Sequence, residues 1–337
     1  GKVNDDGTVS FYGNTDIITS NPVGSPGFNH STQWLGTIVW DAAQNVFVLP
    51  YSGSTLWNPS WSLALSTGQS VGVAILSYLN DTVTLESNTM HYLDGSTSGG
   101  QGSVILSSYA PELGKVVAYA PSQAWQGSNR MRYFNIVTID HDVTSSTLNV
   151  QPSDFWTNTN QGPSGDYDKH TYNTYAGHFL LASQYKVDMI QINADATHTT
   201  IPGVISSDAT NGGNVSGSQR SIVYMAQPNK VFFTFADKNS DGDNAEGTQS
   251  GRLFELNSAG TGYDPDGAII RISDMHAGSD TDSAYFQGAS ITYNTAINKV
   301  LFASKERYKP QQNSYSDYTY LYYCLLYTSD AADDSIR

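Results

Sequence analysis

Short apolar runs, separated by polar turn residues, recur along the whole chain. Residues 37–51 read "TIVWDAAQNVFVLPY", 103–119 "SVILSSYAPELGKVVAY", 221–233 "SIVYMAQPNKVFF" and 290–302 "SITYNTAINKVLF", with a weaker copy, "NTYAGHFLLASQ", at 173–184. Each is an apolar segment, a short turn rich in Asn, Gly, Pro or Ala, and a second apolar segment. Tight alternation and the abundance of β-branched and aromatic residues predict strands, because such side chains pack well on a pleated surface. The turns predict hairpins: Asn and Gly tolerate the left-handed backbone that tight turns need, and Pro presets φ. Anchored on the first residue of the second strand, the copies align at Val46, Val116, Phe179, Val231 and Val300, roughly 50 to 70 residues apart.

Two more alternating segments follow each hairpin. They are "VGVAILSY" (71–78) and "DTVTLESN" (81–88), then "MRYFNIVTID" (131–140) and "STLNVQP" (146–152). The next pairs are "KVDMIQIN" (186–193) with "TTIPGVIS" (199–206), and "GRLFELN" (251–257) with "GAIIRIS" (267–273). Four strands per unit at this period define a propeller blade, so the expected fold class is all-β: a β-propeller of four-stranded antiparallel blades, about five of them represented. A β-sandwich array or a solenoid of hairpins is the rival architecture. The N-terminal "GTVSFYGNTDIITS" reads as the outer strand of a blade, and the last unit stops after its third strand, "DYTYLYY". Residues 1–323 are therefore expected to form one propeller-like repeat domain, truncated at both ends, of a protein whose blade number stays open from five to eight.

Charge narrows the partners. The formal net charge is −15, with 16 Lys and Arg against 31 Asp and Glu. That argues against a nucleic-acid backbone as partner, which needs clustered cations. No apolar run is long enough for a helix to insert in a membrane. The sole cysteine, Cys324, opens "CLLYTSDAADDSIR", which abandons the preceding alternation. This stretch, 324–337, resembles the translation of a sequencing adapter found in metagenomic reads, and is expected to be a non-native tail. Thiol chemistry then drops out of the expectations.

The hairpins "SITYNTAINKVLFAS", "SIVYMAQPNKVFFTF" and "TIVWDAAQNVFVLPY", with "VGVAILSYLNDTVTLESN" after the first of them in the chain, resemble a blade-like repeat of phage tail and fibre proteins. The likeness covers most of residues 1–323 at hydrophobic and turn positions. The third unit lacks the Asn-Lys-Val core, and Trp40 stands where the repeat has Tyr. The resemblance implies a virion surface component, or a part of one that meets other virion proteins, outside the cell. It brings no catalytic motif with it.

Candidate chemistry lies in the strand 2–3 connections, which differ from unit to unit while the strand 1–2 turns are alike. Uniform turns at one end of the blades and divergent loops at the other point to recognition through the divergent end. Trp57 and Trp61, Trp125, and Tyr308 and Tyr315 fall in these connections, and flat amphipathic rings suit stacking on the sugars of a host surface polysaccharide. Arg130 and Arg132, close to Trp125, suit an acidic sugar or a phosphate through forked hydrogen bonds. In "DKNSDGDNAEG" (237–247), Asp237, Asn239 and Asp241 before Gly242 match the start of a calcium loop, with Asp243 or Glu246 to complete the oxygen set. Thr248 stands where an EF-hand has its bidentate Glu, so calcium there would sit in a looser site.

Enzyme signatures are sparse. The chain has no S-x-D-x-G-x-T-W box of the sialidase type, and the predicted inner strands hold almost no acids. His141, in "DHD", and His276 read as polar residues at strand ends. The leading expectation is a non-enzymatic virion tail or fibre propeller that recognises host surface glycan. A secreted bacterial adhesin or carbohydrate-binding propeller, and a polysaccharide-degrading propeller enzyme, remain as rival readings.

Overall fold

The computed structural model describes residues 2–3, 9–10, 30–55, 70–80, 82–92, 105–120, 122–126, 129–150, 154–156, 169–183, 186–193, 195, 197–206, 220–236, 249–273, 285–311 and 314–324. Two compact units divide the chain. One takes Gly1–Gly165 with Ala194–His198, the other Asp166–Asn193 with Thr199–Arg337.

In the first unit, β1 (Lys2–Val3) and β2 (Val9–Ser10) pair only with each other among the described residues. Within the predicted N-terminal outer strand, the described residues thus pair with Lys2–Val3 and with no blade. The first blade has β3 (His30–Leu35) and β4 (Val39–Asp41) side by side on β5 (Val46–Thr55), then β6 (Ser70–Leu79) and β7 (Thr82–Tyr92). Next come β8 (Leu106–Ala110), β9 (Lys115–Tyr119), β10 (Ser122–Gln126), β11 (Asn129–Phe134), β12 (Ile136–His141), β13 (Ser146–Val150) and β14 (Asp154–Trp156). The second blade is β8–β9–β12–β13, whereas β10, β11 and β14 make a separate three-stranded sheet. The predicted strand 131–140 is therefore broken at Asn135. This buried residue donates from Nδ2 to Ala120 O (3.0 Å) and accepts from Ala120 N–H at its own carbonyl (2.9 Å). Such reciprocal pairing satisfies a corner backbone that no ladder could reach.

The second unit holds three blades. These are β15 (Lys169–Asn173), β16 (His178–Ala182), β17 (Lys186–Ile192) and β18 (His198–Ser206); then β19 (Ser221–Met225), β20 (Lys230–Ala236), β21 (Gln249–Leu256) and β22 (Tyr263–Ser273). The last comprises β23 (Tyr285–Asn294), β24 (Lys299–Gln311) and β25 (Ser314–Cys324), with Cys324 paired to Val300. Antiparallel blades with strands in chain order give the fold class expected from the repeat, an all-β chain of β-propeller blades.

Every blade turns from strand 1 to strand 2 in four residues, closed by Asp41↔Val46, Ala110↔Lys115, Asn173↔His178, Met225↔Lys230 and Asn294↔Lys299. The fourth turn residue has positive φ each time: Asn45 (56°), Gly114 (63°), Gly177 (68°), Asn229 (53°) and Asn298 (50°). Only Gly and Asn enter this region at small cost, which explains their recurrence. This position moves one sequence anchor: Val46 aligns with Lys115, His178, Lys230 and Lys299 rather than with Val116. Turn backbone is held from within as well. Asp41 Oδ1 accepts from the N–H groups of Ala43 (2.8 Å) and Gln44 (3.4 Å), and Asn173 Oδ1 from those of Tyr175 (3.0 Å) and Ala176 (3.2 Å). In the two closest copies the strand-1 tyrosine donates to the left-handed asparagine, Tyr224 to Asn229 Oδ1 (2.9 Å) and Tyr293 to Asn298 Oδ1 (2.7 Å). Trp40, at the equivalent place in the first blade, makes no such bond and instead packs on Phe47, with ring centroids 4.6 Å apart.

Strand alternation counted from that residue gives each blade two faces. The face with Val46 and Val48 packs on Val116 and Ala118 of the next blade, in a core completed by Val71, Val73, Ile75, Val137 and Ile139. Leu180 and Ala182 pack likewise on Val231, Phe233 and Phe235, and Phe232 packs on Val300 and Phe302. Odd positions of one blade meet even positions of the next. Burial of each Val, Leu, Ile or Phe side chain here contributes on the order of 1.5–3 kcal/mol.

Two aromatic rings lie directly over strand-3 glycines. A Cβ on Gly72 would fall 2.0 Å from Tyr51 Cζ, and one on Gly251 2.4 Å from Phe232 Cζ. Both rings are buried and Tyr51 is fixed further by its bond to Asn88 Oδ1 (2.6 Å), so neither can withdraw. Gly72→Ala should lower stability by about 1–3 kcal/mol, the range for overpacking. Asn229→Ala should cost about 2 kcal/mol, from left-handed strain plus the lost tyrosine bond, and Asn229→Gly distinctly less. Urea unfolding of the three variants checks both expectations; equal losses for Ala and Gly at position 229 would contradict the backbone account.

Candidate functional site

The strand 2–3 connections predicted as loops are of two kinds. Trp57, Trp61 and the proposed calcium residues Asp237, Asn239, Asp241 and Asp243, with Glu246, lie outside the described residues. The other predicted residues lie on strands, which corrects the loop assignment. Tyr308 belongs to β24 and Tyr315 to β25, where the last blade's strands 2 and 3 run on together and Tyr308 pairs with Ser316. Trp125 belongs to β10, and Arg130 and Arg132 to β11. The reason is visible in the residues: "SQAWQ" and "NRMRYF" alternate with aromatic members and flank Gly-Ser, a pair that suits a two-residue reversal.

The register of this small sheet brings the predicted residues together. Trp125 pairs directly with Arg130, and Gln123 with Arg132. On the other side of β11, Arg132 pairs with Trp156 and Phe134 with Asp154. Residues opposite one another, and those two apart along a strand, share a sheet face. Gln123, Trp125, Arg130, Arg132 and Trp156 therefore occupy one face, with Asp154 one rung beyond. Trp156 was not singled out in the sequence. It sits far along the chain from Trp125, after a complete strand pair of the second blade, and only the short alternating "DFW" hints at a strand there.

A second set of polar groups lies at the turn end of the blades, buried between neighbours. His141 is 9% exposed, not a solvated strand end as expected, and its Nε2 lies 3.0 Å from Asp41 Oδ2 of the preceding blade. Asp41 is 1% exposed, caps its own turn, and also receives the Tyr109 hydroxyl. Burial, then that bond and the Asp41 charge, raise the Tyr109 pKa. Gln44 Nε2 donates to His141 O (2.7 Å), so two turn residues of the first blade grip the second. In the other unit Asn173 takes the place of Asp41. Its Nδ2 donates to the Tyr263 hydroxyl of the next blade (2.8 Å), 3.3 Å from His178 Nδ1. Burial lowers the His178 pKa and pushes the Tyr263 hydroxyl up to about 12, the bond from Asn173 opposing the latter. Tyr51 is likewise pushed up to about 12 by burial, against its bond to Asn88. Asp41 with His141, and Asn173 with His178 and Tyr263, are buried and read as blade junctions, whereas the Tyr51–Asn88 bond lies within the first blade. No cluster of three His, Cys, Asp or Glu that could hold a metal occurs among the described residues.

Neither a family model nor a curated protein matches the chain. Among solved structures it is similar to a GH32 β-fructofuranosidase of Bombyx mori, at 11% identity over 81% of this chain and 55% of that one, TM-score 0.40. It is similar to an endo-arabinase of Bacteroides thetaiotaomicron, at 11% identity over 87% of this chain and 93% of that one, TM-score 0.38. A Trypanosoma rangeli sialidase mutant displaying trans-sialidase activity matches at 12% identity over 84% of this chain and 43% of its own, TM-score 0.41. The match thus spans about half the length of the fructofuranosidase and less of the sialidase. The fold class follows from the blade sheets themselves.

Removing the Asp41 carboxylate strands His141 and two turn N–H groups, so Asp41→Ala should cost about 1–3 kcal/mol, the range for buried groups left without hydrogen-bond partners. Asp41→Asn, which keeps a capping oxygen, should cost less; thermal unfolding of both variants measures the difference. For pH, a histidine held below its ordinary 6.5 takes up a proton on unfolding, so stability should fall as pH drops below 6.5. Tyrosines held near 12 release a proton on unfolding, so stability should fall again as pH rises through 10 towards 12. A melting temperature that stays flat below pH 6.5 in wild type and in His178→Gln alike would refute the acid limb.

Proposed function

We propose that this chain is a non-enzymatic propeller exposed on a virion tail or fibre, and that it recognises host surface glycan through the strand 2–3 end of its blades. The observation that carries the reading is the contrast between blade ends. At one end, five strand 1–2 turns share one length and one left-handed residue. Towards the other, strands 2 and 3 are joined by residues 56–69, 120–135, 183–185, 237–248 and 312–313, of which 120–135 include the strands with Trp125, Arg130 and Arg132. The strand 2–3 connections range from two to sixteen residues against strand 1–2 turns of one length, and loops that vary on a constant scaffold are where rigid folds display a recognition surface. Aromatic rings beside cationic forks suit sugar faces and their polar substituents.

The lack of enzymatic chemistry has support in the inner strands. Asp41 is the acid on the described strands β3, β4, β8, β15, β19 and β23, and it is buried in a blade junction rather than open to a substrate. A propeller glycosidase acting by acid–base chemistry needs two carboxylates flanking the scissile bond. The virion assignment rests on the repeat text shared with phage tail and fibre blades, and tail or capsid genes beside the coding frame would test it. A glycan array tests recognition. The whole chain should bind a defined subset of glycans, and Trp57→Ala and Trp125→Ala should lose at least part of that binding with unchanged circular dichroism. Equal binding by wild type and both variants would remove this end of the blades from consideration.

A further inference from the structure

We infer that the face of β10–β11–β14 is a binding site for an anionic saccharide, an inference that rests on the glycan reading above and names its ligand class. The argument is one of placement. Arg130 and Arg132 stand two apart on the central strand; Trp125 pairs with the first from one side and Trp156 with the second from the other. With strands about 4.8 Å apart and about 3.4 Å of rise per residue, the two tryptophan positions lie roughly 12 Å apart across the two arginines. Along a diagonal of register positions on one face the order is therefore Trp125, Arg130, Arg132, Trp156. A short linear oligosaccharide has the matching order when its outer rings stack and acidic groups between them meet the guanidinium forks.

Charge selects the same ligand. The whole chain has nearly twice as many acids as bases, 31 against 16, yet these three strands contain two arginines and one acid, Asp154. A cationic patch favours an anionic partner over a neutral one. Nucleic acid, a long polyanion, would extend beyond this face against a chain of net charge −15, whereas a short oligosaccharide spans only the face. Asp154, at the Phe134 rung, marks one end of the face and opposes anion binding from there.

Calorimetric titration of the full chain with three probes tests the inference: an oligogalacturonate, the same oligosaccharide with its carboxyls reduced to alcohols, and a hexose phosphate. Oligogalacturonate should bind at least about tenfold tighter than its reduced form, the factor expected from one charge-assisted bond of about 1.4 kcal/mol. Arg130→Gln and Arg132→Gln should each abolish that preference while keeping residual affinity for the reduced sugar. Trp156→Ala should weaken both sugars alike, and Asp154→Asn should tighten the uronate alone. Hexose phosphate binding that exceeds uronate binding, lost in the same arginine variants, would keep the anion site and change its preferred acid to phosphate. Equal affinity for charged and reduced sugar, unchanged in the arginine variants, overturns the anionic inference and leaves glycan recognition standing. No binding of any saccharide overturns both. Unchanged melting temperatures of the glutamine variants separate a lost ligand contact from a lost fold.

Discussion

A single left-handed residue closes every inner hairpin, and the rest of the fold depends on it. Asn45, Gly114, Gly177, Asn229 and Asn298 end four-residue turns, and this fixes which residue of strand 2 faces which residue of strand 1. Because side chains alternate, a slip of one residue would send each core side chain to the opposite face. The turn thus decides that Val48 points at the next blade and that Phe47 does not. Blade-on-blade packing follows from it, odd positions against even, as in Phe232 on Val300 and Phe302.

Where the turns end, polar contacts tie one blade to the next. Asp41 and Asn173 occupy the same turn-start position and do the same two things: they cap their own turn and bond a side chain of the following blade. The chemistry differs, carboxylate with imidazole in one case and amide with phenol in the other. The geometry recurs because the backbone at that position recurs. Buried polar junctions of this kind favour one arrangement over others, since a misplaced blade leaves the carboxylate or the imidazole without a partner.

This division of labour leaves the opposite end free to vary. The inserted sheet β10–β11–β14 pairs with no strand of the second blade, and its composition departs from the acidic average of the chain. A scaffold whose blade ladders run through other strands can tolerate such an insertion.

Alternation and turn residues determined most of the blade strands, since both are local: a period of two and a residue that accepts positive φ need no knowledge of distant partners. The aligned copies also make Tyr224 and Tyr293 equivalent positions, each five residues before its own turn asparagine. Tertiary structure decided three things. It broke the run 131–140 at Asn135, because the carbonyl and N–H of Ala120 needed partners there. It buried His141 against Asp41, a hundred residues away, where sequence alone placed it in solvent. And it set Trp156 beside Arg132, through a strand pairing that depends on which edge of β11 remained open. Each is a long-range choice among partners, and no local pattern encodes it.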